Sequence, residues 1–274
     1  MLPLWRDRVR FVLCKDRLIV LHHSGGRRPH IHSKQVFPYT GEVSGWQPLL
    51  ALLEKIVQGN TSKNTEAEVI LSNHFVRFLV LPWNEAVLSG AENMALVRHR
   101  FDEVYGTESV SWECRLNEGI FGCPSLACAI PQALLNQLKT LFAASSLRLK
   151  FVQPYLMTAF NACRSEMGKE PCWFVLAERD TLCIGLLQGG QWSSIRLRHV
   201  VADWFEEAML MLEREALLAA GGADHHKVFI LAPEVAGTTL SKREPWSISR
   251  LMLNPPPEIG LEEMHSYAMA AAGM

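Results

Sequence analysis

Four histidines lie close together in the sequence and are the first candidates for metal chemistry. They form two pairs, His22-His23 and His30-x-His32. Side chains two residues apart on a strand share a face, so His30 and His32 could join one residue of the first pair. Three imidazoles are enough for a zinc ion with an open coordination position. Since no acidic residue or cysteine lies nearby in sequence, the alternative is a set of exposed polar histidines without a metal.

Other reactive residue types form no catalytic motif in the sequence. The chain has no Gly-x-Ser-x-Gly elbow, no P-loop ending in Gly-Lys-Ser/Thr and no His-Glu-x-x-His. His225-His226 lies in a polar turn, where exposed histidines are expected. The cysteines form no Cys-x-x-Cys pair, and most lie in apolar runs, which predicts reduced, buried side chains: Cys14, Cys114, Cys123, Cys128, Cys163, Cys172 and Cys183.

Composition indicates a globular chain without a strong electrostatic field. The hydrophobic share of 49% over 274 residues is enough for a packed core, and the net charge is −1. This charge gives no long-range attraction for nucleic acid or for an anionic membrane, although Arg27-Arg28 is a local basic spot. The N-terminal apolar run is too short for a signal peptide, and no run approaches the length of a membrane span. We therefore predict a soluble, cytoplasmic protein.

Two stretches of the chain, residues 11–36 and 175–200, have the same pattern 164 positions apart. Each has an apolar run, a short charged turn, a second apolar run, a Gly-Gly pair and a third run, which predicts a three-stranded antiparallel meander. Two copies indicate a duplicated fold. Without a gap the identical positions are Asp16 with Asp180, Leu18 with Leu182, Gly25-Gly26 with Gly189-Gly190, Ile31 with Ile195 and Val36 with Val200.

The segments between and after the repeats predict the remaining elements. Each half is expected to continue from its meander into a helix and then a further strand. Further strands are predicted at 67–71, 75–81, 110–116, 126–130, 147–152, 227–231 and 247–253. Helices are predicted at 46–57 after a capping box from Ser44, at 131–144, after Pro154, after Asp203 up to Gly221-Gly222, and at 261–272.

One further helix has the clearest local signature. Ser89 and Glu92 have capping-box spacing, and Met94, Val97, Phe101 and Val104 then recur on one helical face before Gly106. It follows a strand that ends in Leu81-Pro82. Residues 69–105 thus resemble the strand, strand ending in Leu-Pro and capped helix of the bacterial PilM and GspL families. Those families are actin-like cytoplasmic components of type IV pilus and type II secretion machines.

The order of elements over most of the chain is also similar to the actin-like superfamily. The resemblance implies an α/β fold of two ribonuclease-H-like subdomains in an actin-like arrangement, with mixed sheets flanked by helices. The polar segment 165–171 is the predicted boundary. The first subdomain would comprise 1–165, with inserted strands and a helix at 75–150, and the second 166–274.

The resemblance also directs attention to the first turn of each repeat. Nucleotide-binding actin-like proteins hold phosphates there with backbone amides, typically around Asp-x-Gly, because glycine lets the main chain approach closely. Asp16 and Asp180 are present and could each coordinate a magnesium-bound phosphate, but neither turn contains glycine. The alternative is that both aspartates only satisfy their own turns. The later loop contains Pro233 and Glu234, which remove an amide donor and add a charge that repels phosphate.

The resemblance and these departures predict a non-enzymatic scaffold without a cofactor. It would bind protein partners of an inner-membrane pilus or secretion assembly and be recruited to the membrane by one of them. The alternative function is an ATP-binding phosphotransferase or ATPase on the same fold, and a metal module on His22, His30 and His32 is a third hypothesis. Trp5, Trp83, Trp192 and Trp246 lie near strand ends or loops where a partner could contact them, although burial in the core is the more ordinary role of tryptophan.

Overall fold

The structure is a computed structural model that describes residues 7–26, 29–39, 45–60, 65–85, 89–201, 203–219, 225–235 and 240–274. The chain divides into two compact units. The first comprises Met1–Phe75, Gln132–Ala162 and Leu253–Met274, and the second comprises Val76–Pro131 and Cys163–Met252. The predicted subdomains 1–165 and 166–274 each contain one copy of the repeat, and that assignment stays a proposal. In the described part of the chain, no helix is long and apolar enough to cross a membrane.

The first unit is built on a mixed five-stranded sheet. Its strands are β1 (Arg8–Leu13), β2 (Arg17–His23), β3 (Ile31–Pro38), β4 (Glu66–Leu71) and β8 (Arg148–Pro154), in the order β3-β2-β1-β4-β8. Strands β1 to β3 form the antiparallel meander, and β4 and β8 continue the sheet parallel to β1. The structure confirms the predicted meander and the strands predicted at 67–71 and 147–152.

Helices cover both faces of this sheet. Helices α1 (Gln47–Gln58) and α3 (Gln132–Ala143) each bury one apolar stripe, and the ring of Phe142 in α3 lies 5.7 Å from that of Phe11 in β1. Because neighbouring strand residues point to opposite faces, Arg10 points to the other face. There its guanidinium binds carbonyls of the C-terminal helix α6 (Met264–Ala271) and of the residue after it. Helix α4 (Tyr155–Met167) follows β8.

The second unit contains the second meander in another mixed five-stranded sheet. Its strands are β9 (Cys172–Ala177), β10 (Thr181–Gln188), β11 (Gln191–His199), β12 (Lys227–Leu231) and β13 (Ser247–Arg250), in the order β11-β10-β9-β12-β13. Helix α5 (Trp204–Leu218) begins at Asp203, whose carboxylate accepts from the amides of Phe205 and Glu206. Its apolar face packs on this sheet with Met209 and Leu212 fully buried.

A three-stranded antiparallel sheet completes the second unit. Strands β5 (Arg77–Leu81), β6 (Trp112–Asn117) and β7 (Ser125–Pro131) run in the order β5-β7-β6, with helix α2 (Gly90–Tyr105) packed against them. The predicted capping box is present, since the side chains of Ser89 and Glu92 each accept from the other's backbone amide. Val97 and Phe101 are buried as predicted. Val104 is exposed, whereas its neighbour Tyr105 packs against the cluster of this sheet, 5.1 Å from the ring of Trp112.

The two meanders match residue by residue only through their second strands. Leu13 pairs with Leu18, and Ala177 pairs with Leu182 at the same offset. In the third strand, Ile31 lies opposite His23 whereas Trp192 lies opposite Leu187, so Ile31 corresponds to Trp192. The ungapped alignment of Ile31 with Ile195, and of Val36 with Val200, was therefore wrong.

The length of the second connection explains this shift. Residues 24–30 join β2 to β3, whereas Gly189-Gly190 alone join β10 to β11. Both glycines have positive φ, 59° and 77°, as a two-residue type I′ turn requires. The shorter turn moves the third strand of the second copy along its partner.

Several element boundaries differ from the sequence predictions. Helix α1 starts after Trp46, which makes no side-chain cap, and Ser44 lies outside the described residues. Residues 106–111 form a 3-10 helix, so the strand expected from 110 begins at 112. Strand β13 ends at Arg250, and residues 261–263 are a 3-10 helix before α6. The predicted helix end at Gly221-Gly222 lies outside the described residues.

Candidate functional site

The first turns of the two meanders have the same backbone geometry. In each, the amide before the turn donates to the carbonyl after it, from Cys14 to Arg17 at 3.0 Å and from Glu178 to Thr181 at 2.9 Å. One aspartate lies inside each turn at the equivalent position. Tight hydrogen-bonded turns of this kind position an acidic side chain well, so the partners of each carboxylate decide what it can bind.

Asp16 is bound by the arginine that follows it. Nη1 of Arg17 donates to both carboxylate oxygens of Asp16, at 2.7 and 3.0 Å. The Arg17 side chain is almost fully buried, whereas that of Asp16 is half exposed. A guanidinium this close competes with any magnesium ion for the negative charge of the carboxylate. The first turn therefore presents an ion pair in place of an open acidic ligand.

Asp180 is also bound by side chains, among them a threonine and a histidine. Thr181, which corresponds to Arg17, donates from Oγ1 to Oδ1 of Asp180 at 3.0 Å. Nδ1 of His199 lies 3.8 Å from Oδ2. The two turns therefore share a backbone hydrogen bond but have different side chains on their carboxylates, and the side chain of Asp180 is the less exposed, at 26% against 47% for Asp16.

The loops that follow the next strands offer few groups for an anion. At the start of α4, the amide of Leu156 donates to Oδ1 of Asn73 at 3.1 Å, so a protein side chain already occupies this helix N-terminus. After β12, Pro233 has no amide hydrogen and the side chain of Glu234 is buried. Residues 236–239 lie outside the described residues.

The histidines near the first hairpin are arranged differently from the sequence prediction. His23 is buried, with Nδ1 3.0 Å from the Ser24 carbonyl and Nε2 3.9 Å from Oε2 of Glu68. The expectation of exposure was therefore wrong for His23, because its strand face is covered. The rings of His30 and His32 do lie side by side, with centroids 5.4 Å apart.

The outer histidines have acidic partners that are distant in sequence. Nδ1 of His30 contacts Oε1 of Glu258, and Nε2 of His32 lies 3.7 Å from Oδ1 of Asp7. Burial and the nearby charges of His32 and His23 lower the pKa of His22. Within the described residues, no three His, Cys, Asp or Glu side chains are arranged to hold a metal ion. The structure therefore gives no support to a preformed zinc site here.

The remaining sequence candidates are mostly structural. Five cysteines are buried, and Cys123 and Cys128 are half-buried. Burial raises the pKa of Cys128 and of Cys163 to about 11, so both thiols are protonated at neutral pH. Trp192 and Trp246 are buried, whereas Trp83 is exposed. His225 and His226 are half-buried, in contrast to the predicted exposure, and Trp5 lies outside the described residues.

The first sheet carries a cluster of buried charges that was not predicted from the sequence. Strands β1 and β4 pair in parallel so that Arg8 lies opposite Glu66 and Arg10 lies opposite Glu68. Nε and Nη2 of Arg10 donate to Oε2 of Glu68 at 3.0 and 2.8 Å. Its Nη1 donates to the carbonyls of residues 270 and 272 at 2.9 and 2.8 Å. Lys150 lies within 3.6 Å of both glutamates.

This cluster holds the chain terminus against the sheet. Burial would raise the pKa of Glu68, but the nearby His23, the charge of Arg10 and the hydrogen bonds from Arg10 outweigh it and lower the pKa from 4.5 to about 2. Glu68 is therefore ionised and paired at neutral pH. The available signal in the sequence was a charge at alternate positions of two apolar strands, which places all four side chains on one face.

Comparisons with known proteins find chains of similar structure but no match in sequence. No protein-family model matches the chain, and no curated protein matches it in sequence. The cytoplasmic domain of EpsL, an inner-membrane component of the type II secretion system of Vibrio cholerae, is similar in structure with a TM-score of 0.58 at 9% identity. That similarity covers 96% of this chain and 94% of EpsL's.

Two further solved structures are similar. The PilM-PilN type IV pilus biogenesis complex matches with a TM-score of 0.64 at 10% identity, over 97% of this chain and 95% of that one. A Bacteroides thetaiotaomicron protein with an actin-like ATPase fold and unknown function matches with a TM-score of 0.55 at 9% identity, over 83% and 81%. The chain therefore has an actin-like fold that resembles PilM and GspL.

Proposed function

We propose that this chain is a non-enzymatic actin-like scaffold in the cytoplasmic part of a bacterial type IV pilus or type II secretion-like assembly, where it binds protein partners. The main support is the structural similarity, over almost the whole chain, to solved components of both kinds of machine. Partial similarity to one half of the fold would indicate a generic subdomain. Similarity from end to end favours the same architecture used in the same setting.

The chemistry of the turns supports a scaffold over a nucleotide enzyme. The carboxylate of Asp16 is paired with Arg17, neither turn contains glycine, and the N-terminus of α4 is capped by Asn73. A magnesium-bound phosphate requires an open carboxylate and free amides that it can approach closely; Arg17 occupies the carboxylate of Asp16, Asn73 occupies the Leu156 amide, and without glycine the turns are harder to approach. A scaffold needs none of them, because its function is to hold partner segments against a stable fold.

A pull-down from the bacterium that encodes the chain tests this proposal. Tagged protein, checked for cooperative unfolding, is incubated with detergent-solubilised membranes, and retained proteins are identified by mass spectrometry. We expect inner-membrane subunits of a pilus or secretion machine, or its ATPase, to be retained above the level of an unrelated tagged protein. Retention of none of these components by correctly folded bait would contradict the proposal.

A phosphotransferase or ATPase is the second candidate, because an aspartate is retained at the same position of both turns. It requires binding of Mg-ATP that is lost when Asp16 or Asp180 is replaced by alanine.

A further inference from the structure

Three cationic side chains surround one glutamate on the first five-stranded sheet. Arg8 of β1, Glu66 of β4 and Arg148 of β8 lie side by side across three neighbouring strands. Lys150 follows two residues after Arg148, and its Nζ lies 3.5 Å from Oε2 of Glu66. Arg8 and Arg148 contact the same carboxylate. We call the side chains of Arg8, Arg148 and Lys150 the cationic face.

The carboxylates at this place do not balance the positive charges. With Arg10, the cationic face brings four cations to the two carboxylates of Glu66 and Glu68, which leaves an excess of two positive charges. Burial would raise the pKa of Glu66, but the hydrogen bond from Arg148 and the charges of the cationic face outweigh it and lower the pKa. Both glutamates are therefore already ionised at neutral pH and supply no further negative charge.

Two of the cations are paired only at long range. Arg8 lies 3.6 and 3.5 Å from the two carboxylates, and Lys150 lies 3.5 and 3.6 Å from them. The contact of Arg10 is much shorter, at 2.8 Å. Among the described residues, Nε of Arg8 has no hydrogen-bond partner although it is buried. Charged groups taken out of water need close partners, so this cluster favours the addition of an anion.

The cationic face is accessible from solvent. The side chain of Arg148 is 66% exposed, that of Lys150 36% and that of Arg8 28%. The side chains of Glu66 and Glu68 are far less exposed, so an incoming group meets the cations first. Strand β8 is also the last strand of its sheet. Cations on an edge strand ordinarily prevent unspecific strand pairing, and here they select for negative charge as well.

We propose that the cationic face binds a segment of a protein partner that carries two acidic residues at positions i and i+2. Two carboxylates supply the two negative charges that the cluster lacks. In an extended segment such side chains share a face and lie about 7 Å apart. Arg148 and Lys150 are likewise two residues apart on β8, so one carboxylate can contact each of them. This proposal rests on the proposed function, because it assigns a surface to a protein partner of the scaffold.

Selection of random twelve-residue peptides displayed on phage, with the full chain as bait, tests the proposal without the assembly. We expect enrichment of peptides with aspartate or glutamate at positions i and i+2. For a labelled enriched peptide, fluorescence anisotropy should give a Kd at least about fivefold weaker with Arg148→Gln or Lys150→Gln. Arg100→Gln is the matched control, since it removes the same charge from the exposed surface of α2, and it should leave the Kd unchanged.

Changes in the peptide test the charge from the other side. Replacement of its two acidic residues by glutamine should abolish binding, and urea unfolding checks that each protein variant is folded. A selection without acidic peptides, or equal effects of Arg148→Gln and Arg100→Gln, would overturn the proposal and leave the cations as protection of the sheet edge. Binding of single-stranded DNA or of phosphatidylglycerol vesicles that depends on Arg148, without binding of acidic peptides, would also overturn it.

The two proposals can fail separately. If the pull-down retains assembly components equally well with Arg148→Gln and with Lys150→Gln, the scaffold function stands and the cationic face is not its docking surface. If acidic peptides bind at the cationic face while no assembly component is retained, the surface stands and the cellular assignment is wrong.

Discussion

Glu68 remains charged with a side chain only 2% exposed, because Arg10 of β1 donates two hydrogen bonds to its carboxylate. Its pKa is lowered from 4.5 to about 2, so the folded protein holds the ionised form more strongly than the unfolded chain does. This linkage stabilises the fold fully above pH 4.5 and is lost as the pH falls from 4.5 toward 2. It corresponds to about 3 kcal/mol at neutral pH, as an order of magnitude.

Glu68→Gln should therefore destabilise the protein in a pH-dependent way. At pH 7 we expect a loss of about 3 kcal/mol in the free energy of unfolding, measured with urea, because Arg10 is left buried without its carboxylate. The difference from the wild type should shrink as the pH falls from 4.5 toward 2, because there the glutamate of the unfolded chain takes up its proton before that of the folded protein.

Glu103→Gln is the matched control, since this exposed glutamate pairs with Arg100 on the surface of α2. It should change the free energy of unfolding by less than about 0.5 kcal/mol at either pH. A difference between Glu68→Gln and the wild type that is as large at pH 3 as at pH 7 would show that the pairing of the charge is not the cause.

The buried charges show why single residues were harder to predict than strands. A charge on an apolar strand is ordinarily expected at its exposed face, and Arg10 and Glu68 are 58 positions apart in the sequence. Only the parallel register of β1 and β4 brings them together. In the same way, Asp16 and Asp180 were correctly predicted in equivalent turns, but the side chains that bind each carboxylate, those of Arg17 and Thr181, were not predicted.

At the scale of elements, the hairpin of β10 and β11 depends on one missing side chain. A Cβ on Gly185 would lie 2.4 Å from Cζ3 of Trp192 on the neighbouring strand. The φ of Gly185 is not in the left-handed region, so the requirement for glycine comes from space: mainly the indole ring, and also the Ser194 carbonyl oxygen at 3.1 Å. Trp192 in turn packs against Phe174, at 6.2 Å between ring centroids, and cannot move away freely.

Gly185→Ala should lower the free energy of unfolding by about 1–3 kcal/mol, because the added methyl group forces Trp192 out of its position. The same substitution should cost clearly less in a Trp192→Leu background, which removes the ring. Gly90→Ala, at the first residue of α2 where a Cβ meets open space, should change stability by less than about 0.5 kcal/mol. Equal costs of Gly185→Ala in both backgrounds, from urea denaturation, would rule out this contact as the reason.

Elements with a local signal were predictable, and their mutual registers were not. Helix α2 follows from the capping box of Ser89 and Glu92 and from its apolar face, all contained within a few turns. The third strands of the two meanders were aligned incorrectly because identity at Ile31 and Ile195 was accidental, and the turn lengths decide the register. The local pattern also placed Val104 on the buried face of α2, where the structure has Tyr105.

For the whole molecule, the fold was predicted from the order of its helices and strands. Identity to the similar solved structures is no more than 10%, yet similarity extends over nearly the full chain for two of them. Such a fold can be preserved by apolar periodicity, caps and turns while functional residues change freely. The similarity therefore supports the architecture directly, and the function has to be tested at the turns and at the protein surface.

We propose that the turns of this actin-like chain do not hold nucleotide and that the chain acts as a scaffold. Thermal unfolding in the presence of Mg-ATP and Mg-ADP tests it most directly, because a ligand of the folded state raises stability by about 2.7 kcal/mol at a hundredfold excess over its Kd. We predict no rise in Tm at millimolar nucleotide. A concentration-dependent rise that is lost in Asp16→Ala or Asp180→Ala would contradict the account and favour the phosphotransferase.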